Sequence, residues 1–238
     1  MLVPLSDDLP QLSFPWATVM LIAFCGAVYF WTSADPARLI DVFHGFGCIP
    51  AVLFGHADFP AGLRHAPAWL TPLTSAFIHT GIIHLAGNML FLWIFGRHLE
   101  DALGWYLFLP FVIVGAVAAS LAQAHFNAQS SIPCVGASGF IWALMGGYLV
   151  MFPRSKLMFF STEWLEGNDY AAQRPAWQFM AAWAFVQLVL FSQLGIDNDY
   201  AKTGFAAHLG GFAYGAAVAW LMAKSGLAVS YISDTIDV

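Results

Sequence analysis

The stretch GASGFIWALMGGYLVMF, residues 136–152, opens with a serine between small residues and runs on without a single charge. Flanking glycines let another backbone approach closely and leave the Ser138 hydroxyl unscreened by bulky neighbours. An uncharged run of this kind predicts a helix packed in lipid. Small residues around a serine also occur wherever two membrane helices pack. The polar residues of other apolar segments therefore decide what Ser138 is for: His208 in the last, and His84 with Asn88 in an earlier one.

Composition sets the solvent. The 238 residues are 60% hydrophobic and 9% charged, with a mean hydropathy of +0.70. Ordinary globular chains carry about 25% charged residues. The deficit fits a chain whose side chains face hydrocarbon. Its length predicts a single membrane domain over residues 1–238, with no room for a soluble domain of ordinary size. A net charge of −6 from so few charges gives nucleic acid nothing to bind. Of the three cysteines, Cys25 lies in an apolar run and reads as a small hydrophobe. Cys48 and Cys134 can bridge only if both face an oxidising compartment and meet in space.

Windows of roughly 20 apolar residues give six candidate spans: Phe14–Trp31, Gly81–Phe95, Trp105–Ala124, Gly136–Phe152, Trp177–Leu194 and Gly204–Met222. The fold predicted is an all-α, polytopic bundle of six transmembrane helices, since open sheets cannot sit in lipid. Residues Met1–Pro10 carry Asp7 and Asp8 and no Lys or Arg, a poor signal-peptide start, so the first apolar segment is expected to be retained. Arg97, Arg154, Lys156, Arg174 and Lys224 share one side of the six-span arrangement, against Arg38, Arg64 and Lys202 on the other. That bias predicts both termini in the cytoplasm. A bacterial inner membrane is the expected location. The loop Thr32–Pro72 is long and rich in Phe, Pro, Gly and Trp, which predicts a segment half-buried at the membrane interface.

Polar residues inside spans are costly, so each is a functional hypothesis. His84 and Asn88 are four apart and share a helix face; an interhelical hydrogen bond of about 0.6–2 kcal/mol would be the purely structural use for them. In the last span Gly204, Ala207, Gly211 and Gly215 make a smooth face beside His208, and Gly136, Gly139 and Ala143 offer a matching one. Both segments start on the same side, so Ser138 and His208 are expected at similar depth. That pairing suits nucleophilic catalysis, with imidazole as general base for the serine hydroxyl. Asn88, His84 and the backbone N–H of Ser138 can serve as oxyanion donors. No Asp or Glu lies in these spans to complete a triad or a paired-aspartate site. His-Glu-x-x-His is absent and His84 with His208 lack a third ligand, so neither metal nor other cofactor is expected. The segment Gly195–Lys202, with its Gly and short polar residues, is a candidate lid.

Together these residues resemble the rhomboid family of intramembrane serine proteases. The likeness covers about Thr71 to Gly215 and rests on Gly-x-Ser-Gly at Gly136–Gly139, His-x-x-x-Asn at His84–Asn88, Ala-His-x-Gly-Gly at Ala207–Gly211, and Gly96, Glu100 and Gly104 in the family's spacing. The resemblance implies six helices, a Ser138–His208 dyad, an oxyanion site of His84, Asn88 and the Ser138 amide, and an outward-facing aqueous cavity. It implies membrane-anchored protein substrates whose spanning helix unwinds near small residues. Two positions depart from the family pattern. Trp69-Leu70-Thr71 lacks the Arg that often follows the loop tryptophan, and Trp142 stands where an aromatic, often Tyr, stacks on the histidine. Two rival functions are a non-cleaving relative that holds client helices and a small transporter. The intact Ser, His and Asn oppose the first, and the lack of two similar halves opposes the second.

Overall fold

In hydrocarbon the backbone has no water to bond, so each apolar stretch closes its own hydrogen bonds as a helix. The computed structural model describes residues 4–58, 62, 65–159, 172–194 and 199–227. The chain is mostly helical. Helices α1 (Trp16–Ser33), α7 (Trp105–Phe126) and α10 (Asp199–Ser225) cover three of the expected segments. Helices α8 (Ser138–Met151) and α9 (Ala176–Leu194) cover two more. The remaining one is a continuous path of α5 (Ile82–Phe91), a π-helical turn (Leu92–Gly96) and α6 (Arg97–Leu103). Among the described residues, four helical stretches are long and apolar enough to cross a membrane, Trp16–Ser33, Ile82–Leu103, Trp105–Phe126 and Gly204–Ser225, while Ser138–Met151 and Ala176–Val189 are shorter apolar helices.

The second segment runs past Phe95, where hydropathy ends it. Arg97, Glu100 and Asp101 read as loop residues, yet each has a partner. Glu100 caps α1, whose own start at Pro15 has no side-chain cap. The N–H groups of Ala17 and Thr18 and the Thr18 hydroxyl donate to its carboxylate, each at 2.8 Å. Orphan donors at a helix start and a buried acid thereby satisfy one another. Asp101 accepts from the N–H of Leu12 at 3.0 Å and of Ser13 at 3.1 Å, and from the Ser13 hydroxyl. Gly104, at φ +70°, ends the helix.

Beside the helical bundle lies a small antiparallel sheet, β1 (Pro4–Asp7), β2 (Lys156–Phe159) and β3 (Ala172–Pro175), in that spatial order. It lies outside the apolar segments, where the ban on open sheet edges does not apply. Asp7 anchors it. Its carboxylate pairs with Arg97 at 2.7 Å and accepts from His98 Nε2 and the Tyr148 hydroxyl, both at 2.8 Å.

The long first loop is folded into α2 (Pro36–Phe46), α3 (Pro50–Leu53) and α4 (Thr71–Thr74). Asp35 caps α2 by accepting from Ala37 N at 2.9 Å. Phe43 and Phe46 are half-buried and Trp69 is exposed; Phe59 and Arg64 lie outside the described residues. Cys48 and Cys134 face each other in an isolated antiparallel bridge, exchanging N–H···O bonds of 3.2 and 2.8 Å.

The centre of the bundle is α8, buried continuously from Gly139 to Tyr148. Helix α10 lies against it backbone to backbone. A Cβ at Gly211 would collide with the Gly139 carbonyl, and one at Gly215 with that of Ala143. This contact brings two distant polar residues together.

Candidate active site

Ser138 is the first residue of α8. The turn before it depends on Gly136, at φ +126°, whose N–H donates to the Ser75 carbonyl at 2.9 Å. A Cβ there would stand 2.9 Å from His84 Cε1, so glycine is what lets the His84 ring lie against the serine turn. On α10, His208 sits one residue after Ala207, whose N–H donates to Gln123 Oε1 of α7 at 3.2 Å. With both helices fixed, the Ser138 hydroxyl donates to His208 Nε2 at 2.9 Å. Trp142, one turn into α8, lies nearly parallel to the imidazole, 5.1 Å between centroids and 14° between planes.

The other ring nitrogen is also engaged. His208 Nδ1–H donates to Oε1 of Gln187, on α9, at 3.2 Å. Reasoning from sequence passes over Gln187, although an amide inside an apolar helix carries the same signal as His84 and Asn88. It also passes over Thr80, whose hydroxyl is 3.1 Å from His84 Nδ1. The His84 ring further meets buried His79, 5.3 Å away and edge-on.

His84, Asn88, Ser138, Trp142, Gln187 and His208 all line one cavity of about 370 Å³ between α5 and α9. The Asn88 Nδ2 is buried and has no hydrogen-bond partner. Leaving a buried donor unpaired costs about 1–3 kcal/mol, so an amide aimed into the cavity is a candidate to bond what enters it. Behind Ser138 lies a smaller cavity of about 30 Å³, lined by Ser120, Gln123, Ser138 and Gly139 among others. That is room for one water. Among the described residues, no three His, Cys, Asp or Glu side chains are grouped to hold a metal ion. Of the candidate lid, residues 195–198 lie outside the described residues, and Asp199 to Lys202 form the first turn of α10.

Fold and site define a polytopic helical membrane protein with a hydrogen-bonded serine and histidine inside its bundle. The chain belongs to the rhomboid family: the Rhomboid domain matches residues 66–225. It is similar to "Rhomboid protein 1, mitochondrial" of Saccharomyces cerevisiae, 30% identical over 155 residues, 63% of this chain and 41% of that protein. It is similar to "Rhomboid protease GluP" of Bacillus subtilis, 35% identical over 94 residues, 40% of this chain and 18% of that one. "Rhomboid-like protein 11, chloroplastic" of Arabidopsis thaliana is 29% identical over 168 residues, 66% of this chain and 54% of that one. The matches thus span about half or less of these relatives' lengths. Family membership and the apolar helices make this an integral membrane protein.

Proposed function

We propose that this chain is an intramembrane serine endopeptidase that cuts membrane-anchored proteins in or near their spanning segments. The observation that carries the reading is the 2.9 Å hydrogen bond from Ser138 to His208 Nε2, made where α10 meets α8 backbone to backbone. A serine hydroxyl is a poor nucleophile until a base takes its proton. In this mechanism Ser138 Oγ attacks the scissile carbonyl carbon as its proton passes to His208 Nε2. The carbonyl oxygen becomes an oxyanion, received by Asn88 Nδ2, by His84 Nε2–H and by the Ser138 N–H at the positive end of α8. With the Thr80 hydroxyl donating to Nδ1, His84 keeps its proton on Nε2 for that task. The imidazolium then protonates the leaving amine. A water, for which the 30 Å³ cavity behind Ser138 has room, is deprotonated by His208 and hydrolyses the acyl-enzyme. Trp142 holds the imidazole plane throughout.

The carbonyls of an intact helix are hydrogen-bonded and shielded, so the segment to be cut must be extended at the site. The cavity between α5 and α9 is the natural place for it to enter sideways from lipid. We place six spans in a single domain, both termini in the cytoplasm, and the site opening to the outer face of a bacterial cell membrane. The positive charges beside β2 and α6 support that orientation.

A fluorophosphonate probe tests the nucleophile in detergent. Covalent labelling of the wild type, absent in Ser138→Ala, supports the reading. Unchanged labelling in Ser138→Ala would sink it.

A further inference from the structure

Neutral imidazole carries its proton on one nitrogen only. For Nε2 to accept from Ser138, Nδ1 must hold the proton, and in an apolar bundle that N–H needs an acceptor. Neither the 370 Å³ cavity nor a second of about 540 Å³, lined by Trp142, Gln187, His208 and Phe212 among others, has an Asp or Glu in its lining. We propose that Gln187 is a positioning residue that fixes the working tautomer and orientation of His208, through the bond from Nδ1–H to its Oε1. This rests on the Ser138–His208 reading above. Three parts then hold the ring: Gln187 from α9, Ser138 from α8, and Trp142 against its face. A neutral amide does so without placing an unpaired anion in the bundle, which a carboxylate would do whenever the imidazole is uncharged.

The test compares Gln187→Met, which keeps the shape and loses the acceptor, with Gln187→Glu, which keeps an acceptor oxygen. Three quantities are read: the fluorophosphonate labelling rate, kcat and KM on a membrane-anchored reporter, and the ¹⁵N resonances of His208. Gln187→Met is expected to lower labelling rate and kcat about tenfold or more, with KM and the unfolding midpoint unmoved. Gln187→Glu should recover part of the loss at a pH where its carboxyl is neutral, since an uncharged carboxyl keeps an acceptor oxygen for Nδ1–H. The resonances should show a single Nδ1–H tautomer in the wild type and a mixture in Gln187→Met. Wild-type labelling and kcat in Gln187→Met, or a single Nδ1–H tautomer retained in Gln187→Met, would overturn the role. If the wild type neither labels nor cleaves, the protease reading fails. The resonances still decide whether Gln187 sets the tautomer.

A separate observation carries a second inference. Directly opposed residues of a hydrogen-bonded antiparallel pair have Cα atoms about 5.5 Å apart, inside the range a disulfide spans. Cys48 and Cys134 are such a pair, with both N–H···O bonds made. We infer that they are joined by a disulfide in the membrane-inserted protein, tying the first loop to the segment that leads into Ser138. On the proposed topology both face the outer side, where disulfides persist. Two thiols lose two protons and two electrons to the disulfide of a thiol oxidant, which leaves as its dithiol. Burial pushes the Cys48 thiol up to about 11 and, with Cys48 nearby, the Cys134 thiol up to about 12. Both stand as free thiols in this structure, Cys134 Sγ donating to the Ile132 carbonyl at 3.9 Å, and burial disfavours the thiolate that pairing needs.

Alkylation with a mass-tagged maleimide, after acid quenching and denaturation of the full chain from bacterial membranes, reads the bond. One tag per chain before reduction, on Cys25, and all three cysteines tagged after it is the expected result. Three tags without reduction, or a disulfide-linked dimer, would overturn it.

Discussion

Trp142 lies flat against His208, 5.1 Å between ring centroids and 14° from parallel. Of the ring contacts made by His208, this one fixes the plane in which Nε2 meets Ser138. A stacked pair contributes about 0.5–1.5 kcal/mol beyond its buried area. Trp142→Phe should therefore keep most of the activity, and Trp142→Leu should lower kcat roughly two- to tenfold. Reporter cleavage by the two variants, matched for thermal stability, checks this.

Asn88 Nδ2 is buried without a protein partner and lines the cavity beside Ser138, where the proposed oxyanion forms. Asn88→Leu should lower kcat by about 10²–10³ with little change in KM. The same substitution removes an unsatisfied donor, so the unfolding midpoint should hold or rise. A fall in stability with activity intact would assign Asn88 to packing instead.

The approach of α10 to α8 leaves no space at Gly215, where a Cβ meets the Ala143 carbonyl. Backbone cannot swing aside as a side chain can. Gly215→Ala should lower stability by about 1–3 kcal/mol, as overpacking does, and should part Ser138 from His208. Thermal unfolding and fluorophosphonate labelling of that variant should fall together.

Asp7 gives the fold a sensitivity to acid. Burial pushes its carboxyl up, but bonds and charge from His98, the Tyr148 hydroxyl and Arg97 outweigh it and hold the group below the ordinary carboxylate value. A depressed carboxylate stabilises the fold fully above its unfolded value of about 3.9, and that contribution disappears as pH falls through the folded value. Asp7→Asn should be less stable than wild type at pH 7 by about 3 kcal/mol, because it leaves Arg97 facing a neutral amide. The gap should close at acid pH, below the ordinary carboxylate range. Unfolding midpoints measured from pH 7 to pH 3 test both statements.

Hydropathy finds the apolar stretches because lipid demands them, and glycine spacing finds the α8–α10 contact because two backbones can meet only there. The second helix is misjudged at Phe95 for a physical reason: Arg97, Glu100 and Asp101 have partners at Asp7, α1 and Ser13, far away in sequence. The sheet escapes for the same reason, since strands of four residues pair Asp7 with Leu157 across the whole chain. Ser138, His208, His84 and Asn88 are legible as rare polar groups at helical spacing. Gln187 carried that signal too and is passed over, because a triad is looked for among acids. Whether Cys48 and Cys134 meet depends on how the first loop folds, which no local pattern dictates.

Cleavage of a membrane-anchored reporter in liposomes by wild type, Ser138→Ala and His208→Ala tests the central claim most directly. Cleavage by the wild type and none by either variant, with both variants folded, is the expected result. Cleavage by Ser138→Ala at the wild-type rate would contradict it.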